Sequence, residues 1–225
     1  MDGQVYHFGA RGLYNGGLLL GDRETGSYWQ HLIGRCVYGP LQGSQLEVFP
    51  LLRTNAGQAL EAYPNAQIAL SRLSLRRRLT VRAQEGVLRL LGGRLPPGFQ
   101  WTMGREDRRR ERMEPGLAVW TDRTQRFYPT ETLQAQGSAL INELDGQRTV
   151  VYVDPTSGVP SCLYTEARHC SWQGDALSLD TGESLRGAIL YDAQGTIRAA
   201  GRPRQSITCW YTYAFTFPGG EIYEG

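Results

Sequence analysis

Apolar residues in this chain come in short runs, broken at close intervals by glycine, asparagine, aspartate and proline. That rhythm predicts short strands joined by tight turns rather than long helices. It is densest between Gly21 and Gly43, where Asp22, Gly26, Gly34, Gly39, Pro40 and Gly43 punctuate apolar and aromatic pieces. Strands are expected near residues 4–8 and 17–21, with Asn15-Gly16 as a type I′ hairpin turn between them. Tyr28-Trp29, Cys36 to Tyr38 and Leu46 to Leu52 read as further strands. Asn55 to Tyr63 reads as a short helix, capped by Thr54 or Asn55 and stopped by Pro64. The strand pattern resumes at Leu117 to Trp120, Arg126 to Pro129, Arg148 to Val153, Leu163 to Glu166, Ala176 to Leu179 and Thr208 to Phe217.

Between these halves the pattern changes. From Ser71 to Gly93, leucines and valines alternate with Arg76, Arg77, Arg78, Arg82 and Arg89, part with helical and part with strand spacing, and Gly86 and Gly92-Gly93 mark breaks. Leu95 to Gly116 opens on Pro96-Pro97-Gly98 and carries the mixed-sign run Arg105 to Arg112, the composition of a solvated linker. The expectation is a mainly β protein with a few short helices. It is built as two related β-rich sub-units, residues 1–70 and 117–225, joined by the Arg-rich segment and linker 71–116.

The relation between the halves rests on an internal echo. Asp22 to Pro64 and Asp180 to Pro218 each carry an acidic turn, a Gly-bounded apolar strand, an aromatic segment and an aromatic-Pro pair, with Ile68 and Ile222 following. Such an echo predicts two copies of one unit. Leu117 to Pro160, which leads into the second, has no counterpart before the first, so the first copy reads as truncated. A homo-oligomer or partner chain pairing through residues 1–20 would complete it.

Composition narrows the function classes. With 225 residues there is enough chain for a sizeable core. The net charge of +2 gives no reason to expect a nucleic-acid partner, and all 24 basic residues are arginine. Without lysine there is no P-loop and no Schiff-base chemistry. No apolar run reaches membrane-spanning length, and the start has no leader pattern, so the chain reads as cytoplasmic as written. Four cysteines without Cys-x-x-Cys spacing suggest neither a disulfide framework nor a metal site, and no cofactor is expected.

The candidate chemistry gathers in the central stretch. Asp22, Arg23, Thr25, Trp29 and His31 are candidate binding residues, with Asp180 the corresponding acid of the second half. Leu177 to Gly182 contains Asp180-Thr-Gly, the way an aspartic protease presents its carboxylate. That chemistry needs two carboxylates sharing a proton, and in Asp22-Arg-Glu-Thr-Gly the loop is interrupted. His169-Cys170 are adjacent, so on a strand they would face opposite ways. The expected function is a non-catalytic binding or structural module. The alternative is a redox- or metal-linked protein or hydrolase using Asp22, Glu24, His31 or Cys36, Cys162, Cys170 and Cys209.

The segments Phe8-Gly-x-Arg-Gly-Leu-Tyr-Asn15, Asp22-Arg-Glu-Thr-Gly-Ser-x-Trp29, Gly39-Pro-Leu-x-Gly43 and Tyr63-Pro64 together resemble the bacterial domain-of-unknown-function family 3179. The later pieces Asn142 to Gly146, Val150 to Val153 and Trp210 to Pro218 are similar to it more loosely. The resemblance implies no established reaction. It also implies that fuller members carry an upstream Tyr-Cys-Pro-Leu-Cys-Gly motif and often an export signal, neither of which occurs in this sequence.

Overall fold

The computed structural model describes residues 3–70, 74–90 and 98–225. The protein is mainly β, with sixteen strands in four sheets and four short-to-medium helices among the described residues. It divides into two compact units, Met1–Leu46 with Gln67–Met113, and Glu47–Ala66 with Glu114–Gly225.

The first unit holds an antiparallel meander of β1 (Phe8–Tyr14), β2 (Gly17–Asp22), β3 (Tyr28–Gln30) and β4 (Arg35–Tyr38). Asn15 and Gly16 join β1 to β2 with φ of 50° and 74°, the double left-handed turn that an Asn-Gly pair accepts at low cost. The β1 pairing shifts between Ala10 and Gly12, leaving Arg11 as the extra residue of a bulge. The first strand therefore starts at Phe8, later than the span 4–8 expected from the apolar run. Trp29, Leu32 and Cys36 form the buried centre of this sheet.

The same unit contains α2 (Leu75–Leu90), preceded in the chain by α1 (Ala56–Ala62) of the other unit. The Arg-rich stretch is one continuous helix from Leu75, not a helix-and-strand mixture. Arg, Leu, Gln, Glu and Ala are all good helix formers, and together they outweigh the ~1 kcal/mol cost of Gly86. Arg76, Arg77, Arg78 and Arg82 are exposed, as are Leu75 and Leu79. The breaks expected at Gly92-Gly93 and Pro96-Pro97, and Arg72, lie outside the described residues. Beyond a 3₁₀ turn at Phe99–Thr102, the mixed-sign run pairs locally, Arg109 with Asp107 at 2.8 Å and Arg112 with Glu106 at 2.7 Å.

The second unit is layered. Its middle sheet is β7 (Ala139–Leu144), β8 (Gln147–Val153) and β9 (Pro160–Tyr164). Successive side chains of a strand face opposite ways, and β8 shows the consequence. Val151 and Val153 pack with Leu117, Val119, Tyr128 and Leu133, whereas Val150 and Tyr152 pack with Leu163, Leu177, Leu179 and Leu185. A strand covered on both faces reads as a continuous apolar run, which is why Thr-Val-Val-Tyr-Val stands out in the sequence. On one side lies the sheet of β5 (Pro115–Trp120), β6 (Gln125–Pro129), β15 (Arg204–Cys209) and β16 (Glu221–Ile222). On the other lies the meander β10 (Cys170–Gln173), β11 (Ala176–Leu179), β12 (Ser184–Arg186), β13 (Ile189–Tyr191) and β14 (Ile197–Arg198). Helix α3 (Thr130–Ala135) buries Leu133 in the first of these cores.

Two expected strands take other forms. Leu46 to Leu52 joins no ladder, and Phe49, Leu51 and Leu52 are exposed. Thr208 to Phe217 is strand only as far as Cys209 and then becomes α4 (Trp210–Thr216). Trp210, Tyr213 and Ala214 fall at i, i+3 and i+4 and bury one helical face, so tertiary packing overrides the β-propensity of the aromatic and β-branched residues. Helix α1 has its predicted cap. Asn55 Oδ1 accepts the Gln58 N–H at 2.9 Å, and the helix ends before Pro64. Helices α1 and α4 end alike, at Tyr63 (φ −129°, ψ 77°) and Phe217 (φ −125°, ψ 74°), each followed by proline.

Candidate functional site

The loop from Asp22 to Trp29 is built around one carboxylate. Asp22 ends β2, and its side chain is 1% exposed. Its Oδ1 accepts the Thr25 N–H at 2.6 Å, the Thr25 hydroxyl at 2.8 Å and the Gly26 N–H at 3.2 Å. Its Oδ2 accepts the Trp29 indole N–H at 2.8 Å. The Asp22 N–H donates to the Ser27 carbonyl at 3.1 Å, closing the loop back on the strand. Gly26 takes φ 71°, a conformation that favours glycine. Burial pushes the Asp22 carboxyl up, but the Trp29, Thr25 and Gly26 donors outweigh it and hold it below the usual carboxylate range.

The rest of the motif locks onto this loop. Thr25 Oγ lies 2.7 Å from Ser27 Oγ, which also accepts the Leu41 N–H at 3.1 Å. Gly39 has φ 103° and sits so close to Ser27 that an added Cβ would lie 2.7 Å from the Ser27 Cα. Only glycine fits there, so Gly39-Pro40-Leu41 closes over the loop as a lid of backbone. Trp29 is buried and meets Phe8 edge-on at 5.9 Å between ring centres.

Within the first unit, Arg23, Glu24 and His31 do not join the bonds around Asp22. Arg23 is exposed, and its backbone N–H donates to the His7 carbonyl at 3.0 Å. Glu24 is exposed and engages His7, accepting its backbone N–H at 2.8 Å and standing 2.7 Å from its Nδ1. These hydrogen bonds, the backbone one first, hold the Glu24 carboxyl low. His31 is exposed and spends Nδ1 on the Leu18 carbonyl at 3.0 Å. Asp180 belongs to the other unit. It accepts the Arg168 N–H at 3.0 Å from the neighbouring chain segment. Desolvation raises its carboxyl, and the Arg168 and His169 N–H groups more than offset that.

The cysteines are free and scattered. Cys36 is buried with its thiol 3.4 Å from the Tyr38 carbonyl, and burial pushes the Cys162 thiol up to about 12. A thiol so buried is a packing group rather than a nucleophile. Among the described residues, no three His, Cys, Asp or Glu side chains gather as a metal site, and no helix is long and apolar enough to cross a membrane.

A second carboxylate of the same kind sits in the turn after β8. Asp154 is 2% exposed, and its Oδ2 accepts the Ser157 N–H at 2.7 Å and the Ser157 hydroxyl at 2.5 Å. The Asp154 N–H donates to the Val159 carbonyl, as that of Asp22 donates to Ser27, and Gly158 takes φ 68°. Asp-x-x-Thr-Gly at 22–26 and Asp-x-x-Ser-Gly at 154–158 are the signal that could have found it. Asp154 Oδ2 also accepts Gln58 Nε2 at 3.2 Å, tying the first turn of α1 to the end of β8, while its Oδ1 is buried without a partner.

Comparison with curated proteins and with solved structures gives no match. The family model described as a protein of unknown function (DUF3179) matches residues 1–215, spanning the Asp22 loop, the Asp154 turn and the sheets that carry them, and the chain belongs to that family.

Proposed function

We propose that this protein is a non-catalytic binding or structural module. The observation that carries the reading is the saturation of Asp22. A general base or a shared-proton dyad needs a carboxylate oxygen facing the reacting atoms. Both Asp22 oxygens are instead occupied by donors from within seven residues, on a side chain sealed from solvent. His31 and Glu24 point to partners of their own, so around Asp22 no nucleophile, base and orienting group meet among the described residues. The most recognisable motif of the chain is therefore read as a fold-forming device. Turnover of ester, peptide, phosphoester or glycoside substrates that disappears in a folded His31→Gln or Glu24→Gln variant would overturn this. So would a stoichiometric metal found by elemental analysis.

A second reading concerns assembly. In the first unit Val5, Phe8, Tyr14, Leu18 and Tyr38 are exposed, and among the described residues β1 has a sheet partner on one side only, β2. An edge strand with apolar side chains is a template for another chain. This supports pairing through residues 1–20 with a second copy or a partner, as a duplicated unit with a truncated first copy would require. The similar aromatic-Pro ends of α1 and α4 favour that duplication. Light scattering of the full chain, alone and as Leu13→Arg, tests it: a monomer at every concentration removes the reading.

A further inference from the structure

The second unit contains a cavity of about 310 Å³ whose walls come from two parts of the chain. Pro50, Leu52 and Tyr63 form one side, from the segment that carries α1. Ile189 of β13, together with Arg198 and Arg202, forms the other. Its volume and apolar walls are in the range of small-molecule sites. Two contacts hold α1, the helix just before Tyr63, within this unit. Gln58 of α1 is held by Asp154, and an added Cβ on Gly187 would lie 2.9 Å from the Gln58 side chain.

Arg202 gives the cavity its chemistry. Its Nη1 donates to Ser161 Oγ at 2.8 Å and to the Cys162 carbonyl at 3.2 Å, and its Nη2 donates to the Ala188 carbonyl at 2.5 Å. Every one of these acceptors is neutral. Among the described residues no ion pair is formed by the half-buried Arg202, and the residues that line the cavity with it include no acid. Arg198, on the same cavity, has Glu183 only at 3.6 Å. A cation drawn partly out of water favours an anionic partner, and a planar guanidinium suits a carboxylate.

We propose that this cavity binds a small organic carboxylate with an apolar tail. Its head group sits at Arg202, with Arg198 adding charge, and its tail lies against Leu52, Tyr63 and Ile189. The proposal rests on the reading of the chain as a binding module and names the ligand class.

Isothermal titration of the full chain with hexanoate, hexanol and inorganic phosphate tests it. Hexanoate is expected to bind one to one with Kd of about 1 mM or tighter, and hexanol and phosphate at least ~10-fold more weakly. Arg202→Gln should lose binding. Because Arg202 also holds Ser161, Cys162 and Ala188, the exposed rim variant Ala199→Trp, which narrows the cavity without touching those bonds, should lose it too. No saturable heat with hexanoate overturns the proposal, as does hexanoate binding unchanged in Ala199→Trp. Hexanol binding equally well removes the role of Arg202, and phosphate binding equally well removes the apolar tail. None of these results touches the module reading, which falls only on turnover or a bound metal.

Discussion

The indole N–H of Trp29 donates to Oδ2 of Asp22 at 2.8 Å, and both residues are 1% exposed. The bond joins the end of β2 to the middle of the sheet across a turn that Asp22 itself organises. Replacing Asp22 by Asn removes the charge and leaves one oxygen for four donors. The indole or the Thr25 groups must then face an amide N–H₂ instead of an acceptor. Charge-assisted bonds of this kind contribute about 1.5–3 kcal/mol each, so Asp22→Asn is expected to cost about 2–3 kcal/mol in urea denaturation. Thr25→Val, which loses the hydroxyl bonds but keeps the backbone one, should cost about 1–2 kcal/mol. An unchanged midpoint in Asp22→Asn would remove the structural role given to this carboxylate.

The same bonds make stability depend on pH. The Asp22 carboxyl is depressed in the native state and returns to its ordinary value of 3.8 on unfolding. The unfolded chain therefore takes up a proton first as pH falls. Stability from Asp22 is complete above that ordinary value, declines below it, and is gone once pH passes under the depressed native value. The gap between wild type and Asp22→Asn should be constant from about pH 7 to pH 5 and should close on further acidification. A gap that widens with acid would reverse the assigned direction.

Parts of both units were legible where turns and caps carry their own chemistry. Asn15-Gly16 announces a hairpin, Asn55 announces a helix start, and Pro64 its end. What was not legible depends on partners distant in sequence. Leu46 to Leu52 has strand-like residues but no neighbouring strand to pair with. Trp210, Tyr213 and Ala214 look like strand residues until the core they fill is known. The Asp154 turn was hidden for another reason. Its importance comes from burial and from Gln58, 96 positions away in the chain. Spacing along the sequence led instead to Asp180, an exposed residue that caps a neighbouring segment.

Cys162 should be silent to thiol reagents. It is fully buried against Val151 and Leu117, and its thiol is raised to about 12 by desolvation. At pH 8 almost none of it is thiolate, the reactive form. Mass spectrometry after brief treatment with a disulfide reagent should find Cys170 and Cys209, both half-exposed, modified ahead of Cys162. Modification of Cys162 should appear only under unfolding conditions. Early labelling of Cys162 in native protein would mean that the layer between β8 and β5 opens readily.

Asp154 and Asp22 look equivalent but differ in how their oxygens are used, and one substitution separates them. In Asp154 all three donors, the Ser157 N–H, the Ser157 hydroxyl and Gln58 Nε2, fall on Oδ2, and Oδ1 has none. An asparagine can place its carbonyl oxygen where Oδ2 stands and its amide where the unpartnered oxygen stands, keeping every bond. It also replaces a buried carboxyl group that forms no ion pair among the described residues. Asp154→Asn is therefore expected to cost less than about 1 kcal/mol, against about 2–3 kcal/mol for Asp22→Asn. Asp154→Ala, which strands Ser157 and Gln58 together, should cost about 2–3 kcal/mol and release α1 to faster amide exchange. Equal losses for the two Asn variants would show that charge, rather than the count of accepted bonds, decides what each turn contributes.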